Sequence, residues 1–335
     1  MNTDNRRFRC IIIGAGLSGL VAATRLQEAG IEVVVVEQAA QVGGRMIATQ
    51  MPAKKGPASV FDSGAQFFTV REPLFAQMVD GWLAKSLVLE WSRGFATADG
   101  SYYADGHPRY RGVPDMGGVA RQLARQLDLR LNQKVDAVRR DSDGWVVNLE
   151  DGQALPAGAV ILTPPVPQSL ALLANGNISL TNLERARLER INYEPCIALL
   201  IQLAGPARLP KPGGMWSLGE PIAWLADNYR KGVSPVPGAI TVHAGADFSV
   251  NHWEADDSIA KRLLLEAADP WLGETVLDSR VIRWRYSKPN WLHPDPFLSL
   301  SGDAPLIFAG DAFAGPRVEG AALSGLAAAD FLLSR

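Results

Sequence analysis

Arg9 to Glu37 reads RCIIIGAGLSGLVAATRLQEAGIEVVVVE, and its pattern decides the fold. Arg9 to Ile13 predicts a short buried strand, Gly14 to Gly19 a glycine turn, Leu20 to Ala29 an amphipathic helix and Ile31 to Val36 a second buried strand. The apolar runs on either side are continuous, apart from Glu32, as expected for strands covered on both faces of a parallel sheet. Gly30 stands where a helix C-terminal glycine belongs, and the whole stretch is one βαβ crossover. Each glycine of GAGLSG has its own task. Gly14 permits the tight turn, Gly16 lets backbone approach a pyrophosphate, and Gly19 allows close packing of helix on strand, with phosphate charge at the helix N-terminus. Glu37, at the end of the second strand, is close to the spacing expected of an acid that binds an adenosine ribose. Together these features imply a bound dinucleotide without separating NAD from FAD.

Outward from this unit, the 335 residues exceed the usual size of one hydrophobic core, so two domains are expected. Met51 to Pro57 reads as an exposed loop, and Gly112 to Gly118 as a connection into a helix over Val119 to Leu127. Gly144 to Gly152 reads as a hairpin strand before the turn Asp151-Gly152, and Ala159 to Leu162 as another buried strand, ended by Thr163-Pro164-Pro165. From about Leu180 to Pro289 helical and alternating segments mix, which predicts a separate sheet-and-helix domain.

Composition excludes several function classes. Apolar residues make up 47% and the formal net charge is −2, so there is no bulk electrostatic footprint for nucleic acid or an anionic membrane. The longest apolar stretches, Ile31 to Val36 and Ile197 to Leu203, are strand-sized and far short of the roughly 18 residues of a spanning helix. Cys10 and Cys196 each sit in an apolar strand-like segment, and His107, His243, His252 and His293 are scattered, so neither a disulfide framework nor a metal-ligand spacing is expected. Arg6 and Arg7 precede an apolar run in the manner of a twin-arginine export signal, but cleavage there would destroy the glycine fingerprint; a cytoplasmic protein is expected.

Two further motifs bear on the cofactor. In Gly43-Gly44-Arg45 two glycines can bend the chain beneath a pyrophosphate while a guanidinium offers it bidentate donors, although GGR alone could be an ordinary surface turn. Near the C-terminus, Leu306 to Ala309 reads as a buried strand leading into Gly310-Asp311, then Arg317 to Ala322 and an apolar helix. A second strand-to-helix junction can bring backbone N–H groups to a flavin ring, and a carboxylate such as Asp311 can accept from ribityl hydroxyls. Gly-Asp is also a common turn pair.

In this order the three motifs resemble the FAD-dependent amine oxidase superfamily. Phe61 to Arg71, Ala159 to Leu173, Ile222 to Gly232, Arg283 to Pro289 and Gly310 to Gly325 are similar to segments of its bacterial renalase branch, nearly end to end. The resemblance implies an α/β fold: a doubly wound, Rossmann-like FAD domain (residues 1–70, 115–180 and 290–335) interrupted by a smaller α+β substrate domain with a mixed sheet (71–114 and 181–289). It implies non-covalent FAD held by Gly14, Gly16, Ser18, Gly19, Glu37, Gly44, Arg45, Gly64, Ala65, Gln66, Gly310, Asp311, Val318, Glu319 and Ala322, with the Val135 backbone at adenine. It departs from the branch at Ala312 and Phe313, where a bulky Trp-Cys pair is expected, which leaves the pocket shape open.

The activity implied is oxidation of dihydronicotinamide dinucleotides reduced at the 2- or 6-position, with hydride passing to flavin N5 and electrons to O2, giving NAD(P)+ and hydrogen peroxide. Gln66 is the first candidate on the substrate side of the ring, followed by His243, Asn228, Trp284 and Tyr286. For His243 a satisfied core histidine is an equal alternative, and for Trp284 plain packing is the stronger one. Competing functions are a superfamily oxidase of an amine or apolar substrate, for which Lys288 is the one lysine in a plausible region, a flavin-free dehydrogenase, and a non-catalytic flavin-binding protein.

Overall fold

The computed structural model describes residues 9–53 and 56–335; for Leu218 and Ala314 it describes only the backbone. Arg6 and Arg7, and Lys54 and Lys55 of the expected loop, lie outside the described residues. The described chain divides into two compact units, the first formed by residues 9–44, 120–192 and 289–335 and the second by 45–53, 56–119 and 193–288.

The first unit is built on six strands in the order Leu298–Ser299, Leu306–Phe308, Ala159–Leu162, Arg9–Ile13, Glu32–Val36, Asp128–Arg130. All neighbours are parallel except the first pair. Register pairs Ile11 with Val34 on one side and Val160 on the other, and all three side chains are buried. Valine and isoleucine suit such a doubly covered strand, since their branched side chains pack on both pleated faces. Helix Leu17–Glu28 closes the crossover, and Gly30 leaves it at φ +85°, a left-handed conformation that costs glycine little. The helix begins three residues earlier than the sequence suggested, so Gly19 lies inside it; Gly16, in extended conformation, is the N-cap. Packing overrides glycine's low helix propensity here: a Cβ on Gly19 would sit 2.1 Å from the Gly14 carbonyl oxygen and 3.2 Å from Ile12 Cγ2.

A second difference concerns the helix expected over Val119 to Leu127. The helix is Gly118–Ala124, and Asp128–Arg130 instead extends the sheet edge, with Leu129 opposite Val35. Leu127, Leu129 and Leu131 alternate and pack on the core, which strand geometry satisfies and a continued helix would not. A three-stranded antiparallel sheet, Val135–Asp141, Gly144–Leu149 and Ala154–Ala157, completes this unit with the C-terminal helix Val318–Leu333.

The second unit carries a mixed seven-stranded sheet in the order Val276–Pro289, Tyr193–Leu203, Ala239–Ala244, Ile222–Asp227, Gly214–Gly219, Phe95–Thr97, Tyr102–Tyr103. Helix Asp257–Leu272 lays Ala260, Leu264, Ala268 and Leu272, one residue per turn, on Ile197, Leu199, Ile201 and Leu203. Fully burying leucines such as Leu264 contributes about 1.5–3 kcal/mol each. Residues 45–70, expected with the first unit, belong to the second: the hairpin Ala48–Met51/Ser59–Asp62 buries Met51 and Phe61 against Leu200 and Ala239. Met51 therefore ends a strand rather than opening a loop, and the two units are nearly equal in length.

Candidate functional site

In the first unit the glycine turn forms a cradle. The Gly14 N–H donates to the Val36 carbonyl (2.8 Å) with φ +100°, and the Gly43 N–H donates to the Ala15 carbonyl (2.9 Å). Gly44, at φ +53°, lies so close to Gly16 that its Cβ would be 3.4 Å from the Gly16 Cα. The Glu37 carboxylate fixes both sides of the turn, accepting from the Ala15 N–H through Oε2 and the Ala39 N–H through Oε1, both at 2.8 Å. Each oxygen keeps a lone pair that a ribose hydroxyl can use.

Two observations fit a pyrophosphate at this helix N-terminus. A Cβ on Gly16 would meet nothing within 4 Å, so the space above the turn is open. Ser18 is buried, 4% exposed, and its hydroxyl has no hydrogen-bond partner in the fold. An unanswered buried hydroxyl beside a positive helix terminus is a donor set for an anion.

The C-terminal motif lies in the same unit. Strand Leu306–Phe308 runs into Gly310, at φ +142°, whose N–H donates to Ser324 Oγ (2.8 Å). Asp311 opens a short helix and Glu319 the first turn of Val318–Leu333; both carboxylates are buried, and Ala322 is wholly so. Ala312 and Phe313 are buried as well. The His293 N–H donates to the Ala312 carbonyl (2.8 Å), and its ring lies 5.4 Å from that of Phe313. Val135, largely buried, begins the strand Val135–Asp141.

In the second unit most of the remaining candidates converge on the segment Asp62 to Gln66. The Ser63 carbonyl accepts from Trp284 Nε1 (3.0 Å) and His243 Nε2 (3.1 Å), so Nε2 carries the proton of the His243 ring. The Ala65 N–H donates to the Arg45 carbonyl (2.8 Å), and a Cβ on Gly64 would strike that same oxygen. Arg45 Nη1 donates to the carbonyls of Tyr286 (3.2 Å) and Ser287 (3.0 Å), so Tyr286 joins the group through its backbone. Gln66 Nε2 donates to the carbonyls of Asp62 (2.5 Å) and Gly64 (3.1 Å). Asn228 is spent internally: Oδ1 accepts from the Asp62 N–H (3.1 Å), and Nδ2 donates to the Ala239 carbonyl (3.1 Å) and Thr241 Oγ1 (2.9 Å).

Beneath this segment lies an ion pair that the sequence concealed. Lys231 Nζ is 2.6 Å from Asp62 Oδ2, both side chains are wholly buried, and the ammonium also lies 4.9 Å from the centre of the Trp91 ring. Asp62 Oδ1 accepts from the Met116 N–H (2.9 Å). Burial pushes the Asp62 carboxyl above its usual range and Lys231 below its own; their mutual attraction opposes both shifts. Lys288 is exposed and 3.6 Å from Glu194, which removes it as a site lysine. Burial also takes His243 from 6.5 down to about 4, against the Ser63 carbonyl that favours its protonated form and with the Lys231 charge adding to the fall.

The profile of flavin-containing amine oxidoreductases matches residues 84–333, and that of an NAD(P)-binding Rossmann-like domain matches residues 12–82. The chain belongs to the flavin-containing amine oxidoreductase family. Mouse (Mus musculus) renalase is 22% identical over 325 residues, covering 88% of this chain and 92% of its own. The same fold is found in a protein from Exiguobacterium sp. 255-15 assigned as a protoporphyrinogen oxidase (TM-score 0.73, 11% identity, all of both chains). It is found too in a putrescine oxidase bound to putrescine (TM-score 0.72, 16% identity, 98% of this chain and 99% of the other). This family member is a renalase-like FAD-dependent oxidoreductase, and the cradle above has the donors and space that FAD requires. Among the described residues, no helix is long and apolar enough to cross a membrane and no His/Cys/Asp/Glu group could hold a metal.

Three outcomes test this geometry. Gly16→Ala places a methyl in the open cradle at φ −73° and ψ 176°, which any residue adopts; the apoprotein's unfolding midpoint should not move, while FAD affinity, read by fluorescence titration, should fall about tenfold or more. Unchanged FAD affinity would remove the cradle assignment. Lys231→Met leaves a buried carboxylate uncompensated and should cost about 3–5 kcal/mol in urea unfolding, with more than half regained on adding Asp62→Asn. For His243, the unfolded chain binds a proton below about pH 6.5 and the folded chain only near pH 4. Its contribution to stability is thus full above pH 6.5 and lost as pH falls toward 4, and His243→Gln should flatten the wild-type loss of unfolding midpoint between pH 6.5 and 4.

Proposed function

We propose that this oxidoreductase oxidises dihydronicotinamide dinucleotides reduced at the 2- or 6-position, using O2 as the final acceptor. The observation that carries the reading is the chemistry of the Asp62–Gln66 cluster. Lys231 is closed in an ion pair, Asn228 is fully bonded, and His243 Nε2 is held as a donor to a carbonyl. Such a cluster offers orientation rather than a strong general base. A dihydronicotinamide becomes aromatic as hydride leaves and needs no base, so substrate and site agree. The similarity to renalase over nearly the whole chain supports the same reading.

When bound, FAD would supply the two-electron acceptor for the hydride, with NAD(P)+ and, from O2, hydrogen peroxide as the products. The chain's own residues bind and orient. Gly16 would leave room for the pyrophosphate, with Gly14, Gly19 and Gly44 shaping the turn around it, and the Ser18 hydroxyl would donate to it. Glu37 takes the adenosine ribose, and Val135 contributes its backbone at adenine. In the first unit Gly310, Asp311, Val318, Glu319 and Ala322, and in the second Arg45, Gly64 and Ala65, are the further residues we assign to the cofactor. On the substrate side, Gln66 contacts the ligand. Trp284 and His243 lock the Ser63 carbonyl, and Asn228 and the Tyr286 backbone hold the segment and Arg45 behind it. Holding the donor ring over the acceptor is the main catalytic contribution of such a site. A small soluble dinucleotide agrees with a cytoplasmic working place.

Anaerobic mixing of the FAD-loaded protein with 2- and 6-dihydronicotinamide dinucleotides tests the reading. Rapid loss of flavin absorbance, restored by air with one peroxide per turnover, is expected. A flavin that stays oxidised with both isomers but is reduced by an amine would replace this substrate class with that of the amine oxidases.

A further inference from the structure

Gln66 is 6% exposed, and its two ends are unequal. Both hydrogens of Nε2 are spent on the Asp62 and Gly64 carbonyls, at 2.5 and 3.1 Å. Because only the nitrogen of an amide can donate to carbonyls, these bonds fix which end is which. The other end, Oε1, is buried and has no hydrogen-bond partner in the fold. Leaving a buried acceptor unanswered costs about 1–3 kcal/mol, and folded proteins rarely tolerate it without a role. Other side-chain donors of the cluster are committed elsewhere: Trp284 Nε1 and His243 Nε2 go to the Ser63 carbonyl, and Asn228 Nδ2 to Ala239 and Thr241.

We propose that Gln66 is a fixed hydrogen-bond acceptor whose amide oxygen receives an N–H of the bound redox ligand, and that the buried Asp62–Lys231 pair is the positioning element behind it. The proposal rests on the reading of this segment as ligand-contacting and adds the polarity of the contact. The Asp62 carbonyl is one of the two groups that orient Gln66, and Asp62 is held through both its side chain and its backbone. Lys231 and the Met116 N–H hold its carboxylate, Asn228 accepts from its N–H, and Thr241 Oγ1 donates to its carbonyl (3.1 Å). Besides the isoalloxazine N3–H, which both redox states carry and whose loss as a contact would show as weaker binding of oxidised FAD, two ligand groups have the required donor. One is the reduced isoalloxazine, which carries an N–H at N5 where the oxidised ring has an acceptor. The other is the carboxamide of a nicotinamide dinucleotide. An acceptor fixed against the first stabilises reduced over oxidised flavin; against the second it selects for a carboxamide.

The test uses FAD-loaded protein, wild type against Gln66→Leu and Gln66→Met, with three readings: affinity for oxidised FAD, flavin midpoint potential by dye equilibration, and affinity for NAD+ and its nicotinic-acid analogue. A fall of about 30 mV, equivalent to a tenfold loss in preference for reduced over oxidised flavin, with oxidised FAD still bound, assigns the donor to the ring. An unchanged potential with about tenfold weaker NAD+ binding and unchanged binding of the acid analogue assigns it to the carboxamide. Weaker binding of oxidised FAD with an unchanged potential assigns it to N3–H of the ring, and no change in any of the three readings in either variant overturns the proposal. The potential is measured without substrate, so it stands even if no dihydronicotinamide reduces the flavin. The double variant Asp62→Asn/Lys231→Met should shift the same reading in the same direction; a lowered stability with no such shift would make the pair purely structural.

Discussion

The missing Cβ atoms at Gly19 and Gly325 let the two ends of the chain meet in the first unit. A methyl on Gly19 would fall 2.1 Å from the Gly14 carbonyl oxygen, and one on Gly325 would fall 2.1 Å from the Ser18 carbonyl oxygen. Helix Leu17–Glu28 therefore lies with its first turn pressed on the glycine loop, while Val318–Leu333 packs against that same turn. The C-terminal motif is brought back to the sheet through Leu306–Phe308, parallel to Ala159–Leu162. A dinucleotide cradle made of backbone depends on such contacts because backbone N–H groups cannot be aimed without fixing the whole turn.

The second unit solves a different problem. It places two opposite charges, Asp62 and Lys231, where water cannot reach them. Desolvating the pair costs several kcal/mol per ion, and the attraction at 2.6 Å offsets this only with further hydrogen bonds of the kind Met116 supplies. An apolar pair could stabilise the core as well or better, so the charges are better explained by what they orient. Asp62 begins the segment that ends at Gln66, and its backbone and side chain each have a fixed partner.

Much of the first unit was legible because its signals are local. The strands Arg9–Ile13 and Ala159–Leu162, the crossover and the positive φ of Gly30 each follow from a few adjacent residues. Helix starts were less legible, since Gly19 belongs to the helix for packing reasons that oppose its propensity. Long-range allegiance was illegible. Residues 45–70 join the second unit because Phe61 meets Leu200 and Ala239, which lie far along the chain. Lys231 reads as a surface lysine in the turn Asn228-Tyr229-Arg230-Lys231-Gly232; only the position of Asp62 makes it a core residue. Among the site candidates, Gln66, His243, Asn228 and Trp284 do come together on one segment, but the structure changes their reading. Asn228 and Trp284 hold backbone in place, and Gln66 alone keeps an unanswered polar atom.

That distribution of roles suits the hydride transfer proposed for this protein. Proton chemistry calls for groups whose pKa lies near the working pH, and here burial moves His243 away from that range, to about 4. A neutral imidazole with its Nε2 proton committed to the Ser63 carbonyl acts as a strut, as does the Trp284 indole on the same oxygen. Rigid struts restrict the motion of Gly64 to Gln66, and restricted geometry raises rate when the reacting atoms must be brought into a narrow range of distance and angle. The cluster therefore invests its polar groups in orientation, leaving the redox chemistry to the cofactor.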